Sequence, residues 1–273
     1  MKHLMQRLMW RFLLLLACLA NVSSAHAAEP LVLSFGITPQ QSAPELAKLW
    51  VPITLYLSRQ TGYDIRFKTS KDLTTFRRDT YEGAFDLIYI TPYYFTKAQK
   101  AAGYRAIAKD GGTPLVGLIV VRRDGPQQIK ELQGEKIATH SVSAFMTSYV
   151  RYGYLQEQGV QIEPVGVGSL DSVYLTIDKG LYPAGISIQR AFGLLDPATQ
   201  AKYKVLWRSN PLPPFAYAAH PRVAPNVVEA VRSALLDMND NAEGRALLVK
   251  VNIQSIETAK DSDFDSVRKL KLE

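Results

Sequence analysis

Cysteine is almost absent from this sequence. Its 273 residues contain one cysteine, Cys18, so a disulfide framework is excluded and core packing must supply the stability of the folded protein. Hydrophobic residues make up 47% of the chain and charged residues 21%, which is ordinary globular composition. The composition therefore predicts a packed globular protein.

The sequence also lacks an apolar run long enough to cross a bilayer, which takes roughly 20 residues. The longest run, at 12–22, follows three basic residues and leads into small residues at 23–28. This order is typical of a secretory signal peptide, and it predicts removal of residues 1–27 and export of the remainder. A retained membrane anchor is the alternative interpretation of the same run.

The cysteine in this leader opens a second alternative. Residues 15–18, Leu-Leu-Ala-Cys, loosely resemble a lipoprotein cleavage box in which Cys18 would be acylated and retained. Leu16 stands where a smaller or β-branched residue is usual. Cleavage after Ala27 is therefore the main prediction.

A strong excess of charge of one sign is missing as well. The formal net charge is +7, and the predicted leader carries three of the basic residues, Lys2, Arg7 and Arg11. The small remaining excess over a chain of this length gives no basis for a nucleic-acid partner.

Residues that carry catalysis are scarce. Beyond the leader there are two histidines, His140 and His220, and no cysteine, so neither a zinc centre nor any other catalytic metal site is predicted. The sequence has no Gly-x-Ser-x-Gly elbow and no phosphate-binding loop. His140 beside Ser141 suggests a hydrolase as the enzyme alternative, but adjacent side chains rarely point at each other. We predict a binding protein with no cofactor.

From residue 31 onward, apolar runs and helical patterns alternate, which predicts an α/β fold. Strands are expected at 31–37, 65–68, 85–90, 104–108, 115–121, 136–139, 162–166, 184–187 and 203–207. Helices are expected at 44–59, 73–81, 93–102, 144–158, 169–179, from 189, 225–236 and 241–251. The helix at 44–59 contains Pro52, which should kink it or split off its first turn.

Several predicted strands run directly into polar turns, the end of a parallel sheet at which ligands bind. Ser141 and Ser143 precede the helix expected from 144, where free N–H groups and the helix dipole favour an anion. Plain N-capping by these serines is the alternative. Tyr89 and Tyr93, at the end of the strand expected at 85–90, can form the wall of a pocket.

Three of these turns resemble one family. Residues 85–95 look like the D-x-x-x-x-G-P-x-x-Y segment of the periplasmic phosphate/phosphite/phosphonate-binding proteins of ABC transporters, with Thr91 at the usual glycine. Residues 141–145 are similar to its Ser-Thr-Ser-Gly-Tyr helix start, and 168–172 to its Gly-Ser-His-Asp-Ala segment.

This resemblance implies a type II periplasmic binding protein fold with mixed or parallel sheets, helices on both faces and two hinge crossings. The expected parts are a signal peptide at 1–27, one lobe from 28–121 and 214–273, and a second lobe from 122–213. A small phosphate, phosphite or phosphonate anion would bind between the lobes and pass to a membrane permease. The residues expected to bind it are Thr38, Tyr89, Thr91, Tyr93, Ser141, Val142, Ser143 and Ser169.

Besides Thr91, four departures from the family pattern bear on the ligand site. Val142 replaces a hydroxyl donor, Ala144 a glycine and Leu170 a ligand-binding histidine, while Pro183 stands near the place of an acidic residue. The lost imidazole and carboxylate argue against an aminoalkylphosphonate as ligand. A periplasmic sensor subunit that regulates a membrane kinase or cyclase is the alternative function.

Overall fold

Strands and helices alternate along the chain in a computed structural model that describes residues 31–112, 114–270 and 272. The predicted α/β class is confirmed. The predicted signal peptide at 1–27 and the acylation alternative at Cys18 lie outside the described residues. Within the described part of the chain, no helix combines the length and the apolar character needed to cross a membrane.

The strands form two mixed sheets. They are β1 (Val32–Ile37), β2 (Asp64–Lys68), β3 (Leu87–Ile90), β4 (Arg105–Gly111), β5 (Gly117–Arg122), β6 (Lys136–Thr139), β7 (Glu163–Gly166), β8 (Ala184–Ile188), β9 (Tyr203–Arg208), β10 (Ala216–Ala219) and β11 (Ser255–Thr258). One sheet has six strands in the order β11-β4-β10-β3-β1-β2, and the other has five in the order β7-β6-β8-β5-β9.

The six-stranded sheet combines both strand directions. β1 pairs in parallel with β2 and β3, whereas β10 runs antiparallel between β3 and β4. All four residues of β3 are buried, as its unbroken apolar sequence predicts for a strand covered on both faces. β10 belongs to this sheet although it follows all five strands of the other sheet in sequence.

The five-stranded sheet is built from consecutive strands. β6 is parallel to β7 and β8, and β5 is antiparallel to β8 and β9. The predicted lobes, 28–121 with 214–273 and 122–213, stay a prediction. β5 pairs in the five-stranded sheet, so a division by sheets would place the first boundary before residue 117.

Two chain segments cross between the sheets. One leads from β4 to β5 and the other from β9 to β10, and they are joined by a short antiparallel bridge between Leu115 and Leu212. The backbone N–H of each leucine donates to the carbonyl of the other, at 3.1 Å and 2.9 Å. The crossings therefore contact each other midway.

Helices cover both faces of the sheets. The α-helices span Ala43–Thr61, Leu73–Tyr81, Pro92–Ala102, Phe145–Ser148, Leu170–Asp178, Gln189–Gly193, Pro197–Gln200, Pro225–Asp237, Ala242–Lys250 and Asp265–Arg268. The first of these is one continuous element, so Pro52 does not split off its first turn, and the expected kink there stays a prediction. It ends at Gly62, whose φ of 74° is a left-handed conformation that glycine adopts without strain.

The single helix predicted at 144–158 is also wrong in detail. An α-helix covers Phe145–Ser148, and a π-helix continues over Tyr149–Leu155. The wider turns carry Tyr154 onto Trp207 of β9, with ring centroids 4.3 Å apart. Apolar spacing at a period of 3.6 does not reveal a change to i→i+5 hydrogen bonding. This irregular helix directly follows the predicted ligand-binding serines.

Candidate functional site

A small cavity lies between the two sheets, at the ends of several strands. Thr38 and Gln40 follow β1, Thr91 follows β3, and His140 follows β6. The full lining consists of Thr38, Gln40, Leu73, Thr91, Tyr94, Leu115, Thr139, His140, Ala144, Phe145, Met146, Thr147, Leu170, Ile186, Ser187, Ile188 and Phe215. The cavity therefore lies where ligands bind in parallel sheets, at the carboxyl ends of the strands.

The cavity is narrow. Its volume of about 20 Å³ leaves room for about one water molecule. A tetrahedral oxyanion is larger than water, so its walls must move apart before such an anion can enter.

Thr91 supplies an unused hydroxyl to this cavity. Its Oγ1 is buried and has no hydrogen-bond partner among the described residues. By contrast, the Thr38 hydroxyl donates to the carbonyl of Tyr89 at 2.7 Å, and the hydroxyls of Thr139 and Thr147 lie 2.5 Å apart. A buried hydroxyl without a partner costs free energy, so Thr91 is the threonine with a hydrogen bond left to give.

His140 supplies a second polar group. Burial lowers the pKa of His140 to about 4, so the ring is neutral at pH 7 and offers one donor and one acceptor. No hydrogen bond joins this ring to another described residue. A neutral imidazole can donate to an oxyanion without bringing a charge into an apolar cavity.

The predicted serines form a loop beside the cavity. The hydroxyls of Ser141 and Ser143 lie 3.1 Å apart, and the backbone N–H of Ser143 donates to Ser141 Oγ at 3.3 Å. The following helix has Ala144 as its N-cap and no side-chain cap. The N-capping alternative is therefore wrong for both serines.

Two residues from the six-stranded side reach this loop, and we call these contacts the Ser143 contacts. Arg77 Nη1 donates to the carbonyl of Ser143 at 3.1 Å, and the Tyr94 hydroxyl donates to the same carbonyl. Arg77 also stacks on the Tyr94 ring, 4.7 Å from its centroid. The Nε of Arg77 is buried and has no partner within the described chain. Arg77 was not predicted, because its helix reads as ordinary in sequence.

Three other predicted site residues do not line the cavity and contact protein groups or solvent instead. Tyr93 stacks on Phe145, with centroids 5.4 Å apart and planes 11° from parallel. Val142 is 54% exposed. Ser169 caps the helix Leu170–Asp178 by accepting from Ser172 N–H at 3.1 Å. Of the eight predicted residues, the cavity brings together Thr38 and Thr91, with the serine loop next to it.

Tyr89 belongs to a buried cluster that joins the two sheets, which we call the Arg190 bridge. Arg190 Nη1 contacts Asp110 Oδ2 at 2.9 Å and also the Tyr89 hydroxyl, while Nη2 donates to Gln40 Oε1 at 3.0 Å. Tyr89 in turn donates to Asp110 Oδ2 at 2.6 Å. Burial raises the pKa of Asp110 to about 6, because desolvation outweighs the attraction of Arg190. Arg190 is the second residue of the helix Gln189–Gly193, which directly follows β8, so its position at a strand end is a signal that the sequence contains.

Metal ligands do not gather within the described ranges, where no group of three or more His, Cys, Asp or Glu side chains could hold an ion. The polar side chains that line the cavity carry hydroxyls, the imidazole of His140 and the amide of Gln40. Such donors suit an oxygen-rich anion.

Comparison with known proteins identifies the family. Residues 35–264 match the family model described as ABC transporter, phosphonate, periplasmic substrate-binding protein. The chain belongs to this family. A curated relative from Mycolicibacterium smegmatis, named a phosphate-import protein PhnD, is 23% identical, and the match covers 92% of each chain.

Solved structures support the fold. A binding-protein component of an ABC phosphonate transporter, PA3383 from Pseudomonas aeruginosa, matches with a TM-score of 0.77 at 16% identity, covering 88% of this chain and 85% of that one. PhnD1 from Prochlorococcus marinus, solved with methylphosphonate, gives the same TM-score and identity and covers 88% and 97% of the two chains. The predicted family and the type II periplasmic binding fold are confirmed.

The family consists of periplasmic solute-binding components of ABC transporters. This agrees with the predicted periplasmic location and with a small phosphonate or phosphate ligand. Nothing in the family match or the curated relative supports the alternative of a sensor subunit.

Proposed function

We propose that this protein is exported by its signal peptide and captures a small phosphonate between the two sheets for delivery to the permease of an ABC importer. It acts as a receptor and not as an enzyme. The observation that carries the proposal is Thr91 Oγ1, a buried hydroxyl with no partner in the described chain, which lies with the neutral His140 ring on the walls of one cavity. Both can donate to ligand oxygens.

The cavity favours a ligand with a small apolar substituent. More than half of its lining is apolar, including Leu73, Met146 and Phe215, and no carboxylate is among the described residues that line it. A buried ammonium group without a counter-charge is strongly unfavourable. Methylphosphonate therefore suits the cavity better than aminoethylphosphonate does.

The serine loop extends this binding site. Ser141 and Ser143 carry hydroxyls, and Arg77 brings a positive charge to the carbonyl of Ser143. We propose that these groups hold the anionic oxygens when the two sheets, as separate lobes, close over the ligand. Thr38 and Tyr89 support the walls through their own hydrogen bonds.

A ligand panel tests the function directly. The purified protein is unfolded thermally with phosphate, phosphite, methylphosphonate, aminoethylphosphonate or sulfate. A ligand present at 100 times its Kd should stabilise the fold by about 2.7 kcal/mol. We expect the largest shift with methylphosphonate, and a panel without any shift would contradict the proposal.

A matched pair of variants tests the site. Thr91→Val removes the unused hydroxyl and keeps the shape, so folding stability should be unchanged or higher. Methylphosphonate affinity, measured by calorimetry, should fall by about tenfold or more, because a ligand oxygen loses its donor. Thr80→Val is the control, because its Oγ1 is also buried without a partner in the described chain but does not line the cavity. Equal affinities for the two variants would refute the role of Thr91.

A further inference from the structure

The Arg190 bridge connects elements of different sheets. Arg190 follows β8 of the five-stranded sheet, whereas its acceptors belong to elements of the six-stranded sheet. Asp110 lies in β4, Tyr89 in β3, and Gln40 follows β1. One guanidinium therefore ties three segments of one sheet to the other.

Protein groups satisfy most of this cluster, and the exception is Asp110 Oδ1, which is buried without a hydrogen-bond partner in the described chain. The Arg190 side chain is 13% exposed and that of Asp110 is 6% exposed. The planar guanidinium uses separate nitrogens for Asp110 and Gln40, and it stacks on Phe215 with 4.4 Å to the ring centroid. A fork of fixed geometry suits such simultaneous contacts. Neither charge is among the residues that line the ligand cavity.

A second contact lies beside it. The backbone carbonyl of Gln40 accepts from the N–H of Leu170 at 2.9 Å, so Gln40 links the sheets through both its side chain and its backbone. Asn252 Nδ2 also donates to the carbonyl of Arg190 at 3.1 Å. The bridge is thus held in place from both ends of the arginine residue.

Burial of such a pair contributes to the free energy of lobe closure in two opposing ways. Desolvation of two charges opposes closure, and their mutual attraction with good hydrogen bonds offsets it. Removal of one partner leaves a single buried charge, which strongly favours the separated arrangement in which water reaches it. A buried ion pair between lobes can therefore control how often they part.

We propose that Arg190 is a positioning residue that latches the two lobes together without touching the ligand. The inference rests on the two-lobed receptor function proposed above. The latch lowers the free energy of the closed arrangement and so raises ligand affinity in proportion to the closed fraction. Arg190 acts through Asp110, Tyr89 and Gln40 and makes no ligand contact of its own.

The test measures the distance between lobes with no ligand present, so it does not depend on the identity of the ligand. Residues 31–273 contain no cysteine, which allows two nitroxide labels at introduced cysteines in place of the exposed Lys71 and Glu157. Distances are measured by double electron–electron resonance in phosphate-free buffer. In the otherwise unchanged protein we expect one narrow, short distance.

Arg190→Met should shift most of the population to longer, broader distances, and Arg190→Lys should restore part of the short population. Arg208→Met is the control, because Arg208 donates to Gln189 Oε1 at 2.8 Å without reaching the other sheet. It should leave the distance unchanged. If Arg190→Met does not fold, Gln40→Leu removes the acceptor of Arg190 Nη2 and leaves the ion pair in place, and it should shift a smaller part of the population to the long distance.

Retention of the short distance in folded Arg190→Met, or in Gln40→Leu where Arg190→Met does not fold, would overturn the latch. It would leave the receptor function standing, since that function is decided by the ligand panel. Conversely, if no ligand of the panel raises the unfolding temperature but Arg190→Met lengthens the distance between the labels, the ligand assignment is refuted and the latch is supported.

Discussion

The Arg190 bridge and the Ser143 contacts both join the two sheets, but they differ in how their charges are balanced. Arg190 faces a buried carboxylate, a phenol and an amide oxygen. Arg77 faces the Tyr94 hydroxyl and a backbone carbonyl, and no ion pair joins it to a described residue. The positive charge of the Arg190 bridge is balanced by a carboxylate, whereas the Ser143 contacts retain an unbalanced positive charge.

Under the function proposed above, this difference separates two tasks of a two-lobed receptor. A balanced, buried pair can hold the lobes whatever the ligand is. An unbalanced cation beside hydroxyls gains most when an anion arrives. The bridge therefore suits control of closure, and the Ser143 contacts suit recognition.

The largest expected effect comes from removing one charge of the Arg190 bridge. Asp110→Ala leaves Arg190 buried without its counter-charge and should lower the free energy of unfolding by about 3–5 kcal/mol. Urea denaturation measures this loss. The double variant Asp110→Ala with Arg190→Met should recover most of it, because no charge is left unpaired. An additive double variant would show that the two residues do not act as a pair.

A pH titration sharpens the comparison inside the cavity. Burial lowers the pKa of His140 to about 4, whereas the unfolded chain binds that proton near 6.5. Acid therefore favours the unfolded state, so the contribution is complete above pH 6.5 and is lost as the pH falls toward 4. The loss should reach about 2 kcal/mol by pH 5.

The variant His140→Gln should remove this part of the acid sensitivity. Thermal unfolding at pH 7.5 and pH 5 compares it with the unaltered protein. If both proteins lose the same stability, the His140 ring is not desolvated as the structure places it.

The smallest expected effect comes from changing the serine loop next to the Ser143 contacts. Ser141→Ala together with Ser143→Ala should weaken methylphosphonate binding by at least tenfold, about 1.4 kcal/mol, and leave folding nearly intact. Ser233→Ala, on an exposed helix position, is the control. Calorimetry measures the methylphosphonate affinity of both variants. An unchanged affinity in the double variant would show that the two serines do not belong to the binding site.

Local sequence patterns predicted much of the fold. The strand predicted at 85–90 is observed as β3, whose four residues are all buried, and the expectation that ligands bind at strand ends located Thr38 and Thr91 on the cavity wall. These features depend on residues close together in sequence. Periodicity and turn chemistry report such local features well.

Long-range pairings were not visible in the sequence. Asp110 and Arg190 are 80 positions apart, and nothing near either residue indicates the other. The same holds for Arg77 and Ser143, which meet because two sheets face each other. Their contacts follow from tertiary packing, so a site built from them needs the structure.

The position of β10 has a consequence for the growing chain. This strand fills the space between β3 and β4, yet it comes after β9 in sequence. During synthesis from the N-terminus, β3 and β4 must wait for residues 216–219 before their hydrogen bonds can be completed. The five-stranded sheet, although encoded in the middle of the chain, is thus the first sheet whose strands are all available.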